Sequence, residues 1–152
     1  MTDQRVKRCL DPGMSLLVGT VDADGAPSCC RAVGLASNDD LATVTVYLPL
    51  ATSQRIIQDV ATTHRIAVAA THVIDHCSVQ LKGTASTARL ARQDEAPVIT
   101  EWLDAFSSVL DAVGVPRRVT LSLNHWPAFA VEMRVDQLFE QTPGPNAGSQ
   151  LK

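Results

Sequence analysis

The sequence predicts a small, mainly antiparallel β-barrel of about six strands with helices at its margin. Three observations carry that expectation. Short segments rich in Val, Ile, Thr and Ala recur between turn-type connections, only one long segment has helical periodicity, and 152 residues make one domain's worth of chain.

Residues 4–10 suit a brief helix that Pro12 and Gly13 stop, and residues 14–22 (MSLLVGTVD) then read as an apolar strand. Asp22-Ala-Asp-Gly25 turns the chain, because Asp-Gly supplies the positive-φ position of a tight hairpin, and residues 27–35 (PSCCRAVGL) return as the partner strand. Asn38, Asp39 and Asp40 make a second turn before a third strand, residues 41–48, dense in Thr, Val and Tyr. Thr52 or Ser53 offers an N-cap to a short helix over residues 53–60, with Ile56 and Val60 on one face. Residues 64–71 and 77–90 read as two further strands. Val98, Trp102, Phe106, Val109, Leu110 and Val113 then recur every three or four positions, a helix that Gly114 and Pro116 end. Residues 128–136 alternate cleanly, with Phe129, Val131, Met133 and Val135 on one face. The chain therefore reads as one domain over residues 1–152, with a Gly/Pro/Asn-rich tail from about residue 142 expected to be flexible.

Composition narrows the functions. Hydrophobic residues at 45% and charged residues at 19% exclude a disordered or fibrous chain. The net charge of −3 and the absence of a dense Lys/Arg run argue against nucleic acid as a partner. The polar start and the short first apolar stretch predict neither a signal peptide nor a membrane span. Cys9, Cys29, Cys30 and Cys77 form no CxxC pair and read as free thiols of a cytoplasmic protein, Cys29 and Cys30 as two small buried hydrophobes on opposite faces.

Arg31 is the most informative residue. On a regular strand its face carries Cys29, Val33 and Leu35, no acidic residue lies within the strand, and a guanidinium among apolar neighbours suits a phosphate or carboxylate; an ion pair with a distant carboxylate is the alternative. Thr52, Ser53 and Arg55 place two hydroxyls and a cation at a helix start, where free N–H groups favour an anion, against simple capping with a solvated Arg55. The intervening strand and loop are short enough to bring the two positions side by side. Gln80 and Lys82 share a polar strand face that is either plain solvent-facing surface or a site for carbonyl and imide edges. His72, His76 and Cys77 cluster soft ligands, but without a second ligand group they read as a solvated loop, and no metal site is expected. GxSxG, GxxxxGK[ST] and GxGxxG are all absent.

Taken in order, the Asp-Gly hairpin with its R-x-V strand (DADGAPSCCRAV), the segment YLPLATSQR, residues 65–71 and the strand VQLKGTA resemble the pyridoxamine 5′-phosphate oxidase-like family of FMN-binding split β-barrels. The resemblance implies a homodimer with FMN in clefts at the subunit interface. It implies that Arg31, Ser53 and Arg55 meet the phosphate with Thr52 beside them, that Ala32, Val33, Tyr47 and Leu48 lie along the ring, and that Gln80 and Lys82 line the same site. Where oxidases of pyridoxamine phosphate have a lysine, this chain has Ala36 and Ser37. The function implied is therefore an FMN-dependent oxidoreductase, passing a hydride or electrons to an unknown small-molecule substrate, with no catalytic side chain assigned; the alternative is a flavin- or haem-binding carrier or sensor, and a deazaflavin in place of FMN is also open.

Overall fold

A computed structural model describes residues 4–151. Helix α1 (Gln4–Arg8) precedes β1 (Ser15–Val21), β2 (Pro27–Arg31), β3 (Gly34–Ser37) and β4 (Thr43–Pro49); α2 (Gln54–Thr63) leads to β5 (Arg65–Thr71) and β6 (Ser78–Leu90). A 3₁₀ turn (Gln93–Glu95), α3 (Ala96–Ala112) and α4 (Arg117–Leu121) come before β7 (Ala128–Glu140). The seven strands form one antiparallel sheet in the order β2-β1-β5-β6-β7-β4-β3.

The strand expected over residues 27–35 is two strands, which is why seven replace six. After Arg31 the chain steps from one edge of the sheet to the other. Ala32 N–H donates to Leu16 O on one side and Val33 N–H to Tyr47 O on the other, at 3.1 and 2.8 Å. This two-residue step draws the two edges of the curled sheet together. It also ends the strict alternation on which Arg31 was expected to share a face with Val33 and Leu35, both of which are buried while Arg31 is exposed.

Strands β1, β4, β5, β6 and β7 each turn an apolar row inward: Leu16 and Val18, Val44 and Val46, Ile66 and Val68, Val79 and Leu81, Val131 and Met133 are all at most 4% exposed. Ile56 and Val60 of α2 join this core, as their four-residue spacing requires. Trp102 of α3 enters it and donates its indole N–H to Met14 O at 3.0 Å, whereas Ile99 covers a smaller cluster of Val33, Tyr47, Ala128 and Ala130. The Asp22–Gly25 turn is as the sequence predicts: Gly25 has φ +85°, and Asp22 Oδ1 accepts the N–H groups of Asp24 and Ala26. Gly114, at φ +95°, follows the end of α3. Strand β7 runs to Glu140, four residues past the expected end, and the tail folds back on it, with Leu151 N–H on Leu138 O.

Two expectations about the cysteines fail. Cys9 and Cys77 are joined in a disulfide that ties the segment after α1 to the β5–β6 connection, and Cys29 is exposed. Cys30 does face the other way and is partly buried, and desolvation followed by the neighbouring Cys29 pushes its thiol up to about 11. No helix among the described residues is long and apolar enough to cross a membrane.

Candidate functional site

The outer face of β2, β1, β5 and β6 carries the candidate site. Strand pairing aligns Arg31 with Leu17, Leu17 with Ala69, and Ala69 with Gln80, so the four form one cross-strand row. Three strand spacings separate its ends, about 14 Å. The next row is Cys29, Gly19, Ala67 and Lys82. The floor between the polar ends is thus made of small or apolar side chains, and Leu17 in its middle is 44% exposed. A sheet face of this kind offers a flat ligand an uncharged bed, with a cation at one end and an amide at the other.

Arg31 is exposed at the end of β2. Its Nη1 donates to Ser15 Oγ at 3.3 Å and the guanidinium lies 5.4 Å from the Phe106 ring centroid, while no carboxylate among the described residues pairs with it. The alternative of a distant ion-pair partner is not what the structure shows. A guanidinium positioned by a hydroxyl and an aromatic face keeps donors for an added anion.

Arg55 and Ser53 do not converge on Arg31, contrary to the side-by-side placement expected. Arg55 Nη2 meets Asp22 Oδ2 at 2.5 Å in the β1–β2 turn and its Nε meets Asp59 Oδ1 at 3.1 Å. Arg31 is at the other end of β2, some four residues or about 13 Å along the strand. Ser53 occupies the N-cap position of α2 but makes no side-chain cap; it is fully buried and donates its hydroxyl to Pro49 O at 2.7 Å. Thr52 is exposed on the same turn. The carboxylates of Asp22 and Asp59, remote in sequence or hidden one helical turn on, satisfy the cation that an anion was expected to meet. Asp22 is held below the usual carboxylate range, chiefly by the Ala26 N–H, with Arg55 adding to it.

Ala32 and Val33 lie at the sheet closure, both buried, with their N–H groups already bonded to Leu16 and Tyr47. Leu48 is inside the barrel core. Tyr47 is buried under α3 and donates its hydroxyl to Glu95 Oε1 at 3.2 Å. Desolvation, then the Glu95 charge, pushes the phenol up to about 12; Glu95, gripped by both Nη groups of Arg89 and by Arg92 N–H, falls to about 2. This buried group is a brace between β4 and α3, and neither Tyr47 nor Leu48 presents its side chain to the outer row.

Gln80 and Lys82 both face outward, as the alternation of β6 predicts; Gln80 is partly buried at the end of the row, and Lys82 Nζ sits 4.7 Å from the Phe139 ring centroid. His72 Nδ1 is 2.8 Å from Asp75 Oδ1 and Cys77 is in the disulfide, so that segment's polar groups are engaged with one another. Sequence reading missed Leu17, Ala69 and Arg65. Each is on the outer face of an alternating strand, a signal present in RIAVAAT and SLLVGTV, but which strands lie side by side is not written in either segment.

No protein-family profile and no curated protein sequence matches this chain. Solved structures do. HupZ of Group A Streptococcus matches with a TM-score of 0.59 and 20% identity, covering 97% of this chain and 100% of that one. A putative pyridoxamine 5′-phosphate oxidase of Lactobacillus delbrueckii matches at 0.55 and 16%, covering 91% and 93%, and an F420 reductase at 0.58 and 9%, covering 91% and 98%. With seven antiparallel strands curled into a barrel, flanking helices and these neighbours, the chain has the split β-barrel fold of the pyridoxamine 5′-phosphate oxidase-like proteins.

Proposed function

We propose that the protein is an FMN-binding oxidoreductase of the split-barrel type. The observation that carries this reading is the row Arg31–Leu17–Ala69–Gln80: a guanidinium with no carboxylate partner among the described residues, an apolar floor and an amide, spaced about 14 Å end to end. In this reading Arg31 binds the phosphate, Leu17 and Ala69 lie under the ring, and Gln80 offers a donor and an acceptor to its imide edge. Bound FMN supplies hydride or electron transfer; the residues of the row bind and orient it. Among the structures of the same fold, one is described as a pyridoxamine 5′-phosphate oxidase and another as an F420 reductase, which supports flavin-type chemistry.

The row is open on its outer side. A second copy of the chain packed over the row, covering the exposed Leu17 with Ala69 allowing close approach, closes the site and excludes water, so the active form we propose is a homodimer.

An absorption spectrum between about 300 and 500 nm, taken after adding FMN and removing the free ligand by gel filtration, tests the reading. Flavin bands near one per chain support it, and oxidation of a nicotinamide donor by the loaded protein separates an enzyme from a carrier. Failure to retain FMN, with retention of haem or the deazaflavin instead, overturns the cofactor assignment.

A further inference from the structure

Among the described residues, two cations on the outer face have no carboxylate partner. Arg65 faces Thr84 and Ala67 faces Lys82 across β5 and β6, so Arg65 and Lys82 are diagonal neighbours on one face, with Cβ atoms about 7–8 Å apart. Both side chains are exposed, and among the described residues neither pairs with a carboxylate. Like charges so placed repel, and in a chain whose net charge is −3 nothing compels them to be left uncompensated.

They line a cleft of about 430 Å³, within the range of small-molecule sites. Its shape is built, not incidental. Gly19 and Ala67 form a floor without bulk, and a bulge between Lys82 and Gly83 leaves Asp136 of β7 as the extra residue. A Cβ at Gly83 would stand 1.9 Å from Arg134 O, so only glycine allows β7 this close. The one carboxylate lining the cleft, Asp136, is turned to Arg134 Nε at 2.7 Å and Thr84 Oγ1 at 2.9 Å. Gln137 adds an amide to the wall.

We infer that this cleft is a second anion site, separate from Arg31, which takes the phosphate group of a small phosphorylated molecule between Arg65 and Lys82. Two convergent cations match a dianion, and the arms of both residues are long enough to meet over the small floor. Gln80, at the end of the first row, is two residues from Lys82 on the same strand face, so a molecule anchored here extends toward that row. The inference stands without the flavin reading.

The test is a titration of the full chain with inorganic phosphate and with pyrophosphate at constant ionic strength, followed by calorimetry, on the parent and on Arg65→Gln, Lys82→Gln and Arg118→Gln. Arg118 is a cation of α4 that pairs with no carboxylate among the described residues and does not line the cleft. Each cleft variant is expected to bind phosphate about tenfold more weakly or worse, with unfolding temperature unchanged, and Arg118→Gln to bind as the parent does. Equal binding by parent and cleft variants, equal loss in Arg118→Gln, or no binding to the parent overturns the inference. Retention of FMN is expected to survive Arg65→Gln; its loss together with phosphate binding would make the cleft the flavin's own phosphate site and overturn a separate one.

Discussion

Arg55 holds Asp59 across one turn of α2, Nε to Oδ1 at 3.1 Å, and Asp59 is 3% exposed. The other carboxylate oxygen accepts the Thr20 hydroxyl at 2.7 Å, so the pair locks α2 onto β1 at the end of the barrel. A carboxylate taken this far from water needs both partners.

Asp59→Ala is therefore expected to destabilise the fold by about 2–4 kcal/mol, since it leaves the Thr20 hydroxyl and the Arg55 Nε–H without their acceptor. Arg55→Ala should cost about 1–3 kcal/mol, the smaller value reflecting the solvent that reaches Arg55. Urea denaturation measures both. FMN affinity of folded Arg55→Ala should remain within about twofold of the parent's, and a drop as large as a lost charged hydrogen bond would restore Arg55 to the cofactor site.

Arg31→Ala is expected to weaken FMN binding by about 1.5–3 kcal/mol, a factor of roughly 10 to 150, while leaving the unfolding midpoint nearly unchanged. Among the described residues, the guanidinium's partners are the Ser15 hydroxyl and the face of the Phe106 ring. Fluorescence quenching of free FMN gives the affinity directly, and an unchanged value removes Arg31 from the site.

Tyr47 is the chain's one tyrosine, so alkaline absorbance reads it without interference. A midpoint near 12 is expected in place of about 10, falling in Glu95→Gln, which removes the neighbouring charge. Because the folded value is the higher one, this group's contribution to stability is complete below pH 10 and is lost as pH rises through 12. A midpoint near 10 in the folded protein would mean that the phenol is in water.

Glu95 works in the opposite direction. Its folded value of about 2, set first by the Arg89 hydrogen bonds, is below the unfolded 4.5, so its contribution is complete above about pH 4.5 and is lost as pH falls toward 2. Denaturant midpoints at pH 7, 4 and 2.5 should fall less steeply for Glu95→Gln than for the parent. Parallel curves would show that the Arg89–Glu95 pair contributes nothing to acid stability.

Gly83→Ala is expected to cost more than about 2 kcal/mol, because the added carbon meets the Arg134 carbonyl and not a flexible side chain. Thermal unfolding checks this. A neutral outcome would mean that β6 and β7 separate at the bulge without penalty.

The Asp22–Gly25 turn, the faces of β6 and α3 and the shared face of Gln80 and Lys82 all follow from local rules: alternation, three-to-four spacing and a residue that tolerates positive φ. The sequence resemblance carried the fold family as well, since the series of motifs occurs in strand order. What no local pattern contains is partnership between distant residues. Whether residues 27–35 run straight or break at Ala32 depends on two sheet edges meeting there. Whether Arg55 waits for a phosphate depends on Asp22, which is 33 positions away. Cys9 and Cys77 come together across 68 residues by the docking of α1. The rows that align Arg31 with Gln80 and Arg65 beside Lys82 exist only once β2, β1, β5 and β6 are laid side by side. By itself, the sequence of this protein determines which side chains share a face within a regular strand or helix; the closed sheet decides which of those faces meet water and which charges are already satisfied, because an ion pair is a property of two positions in space and not of either segment.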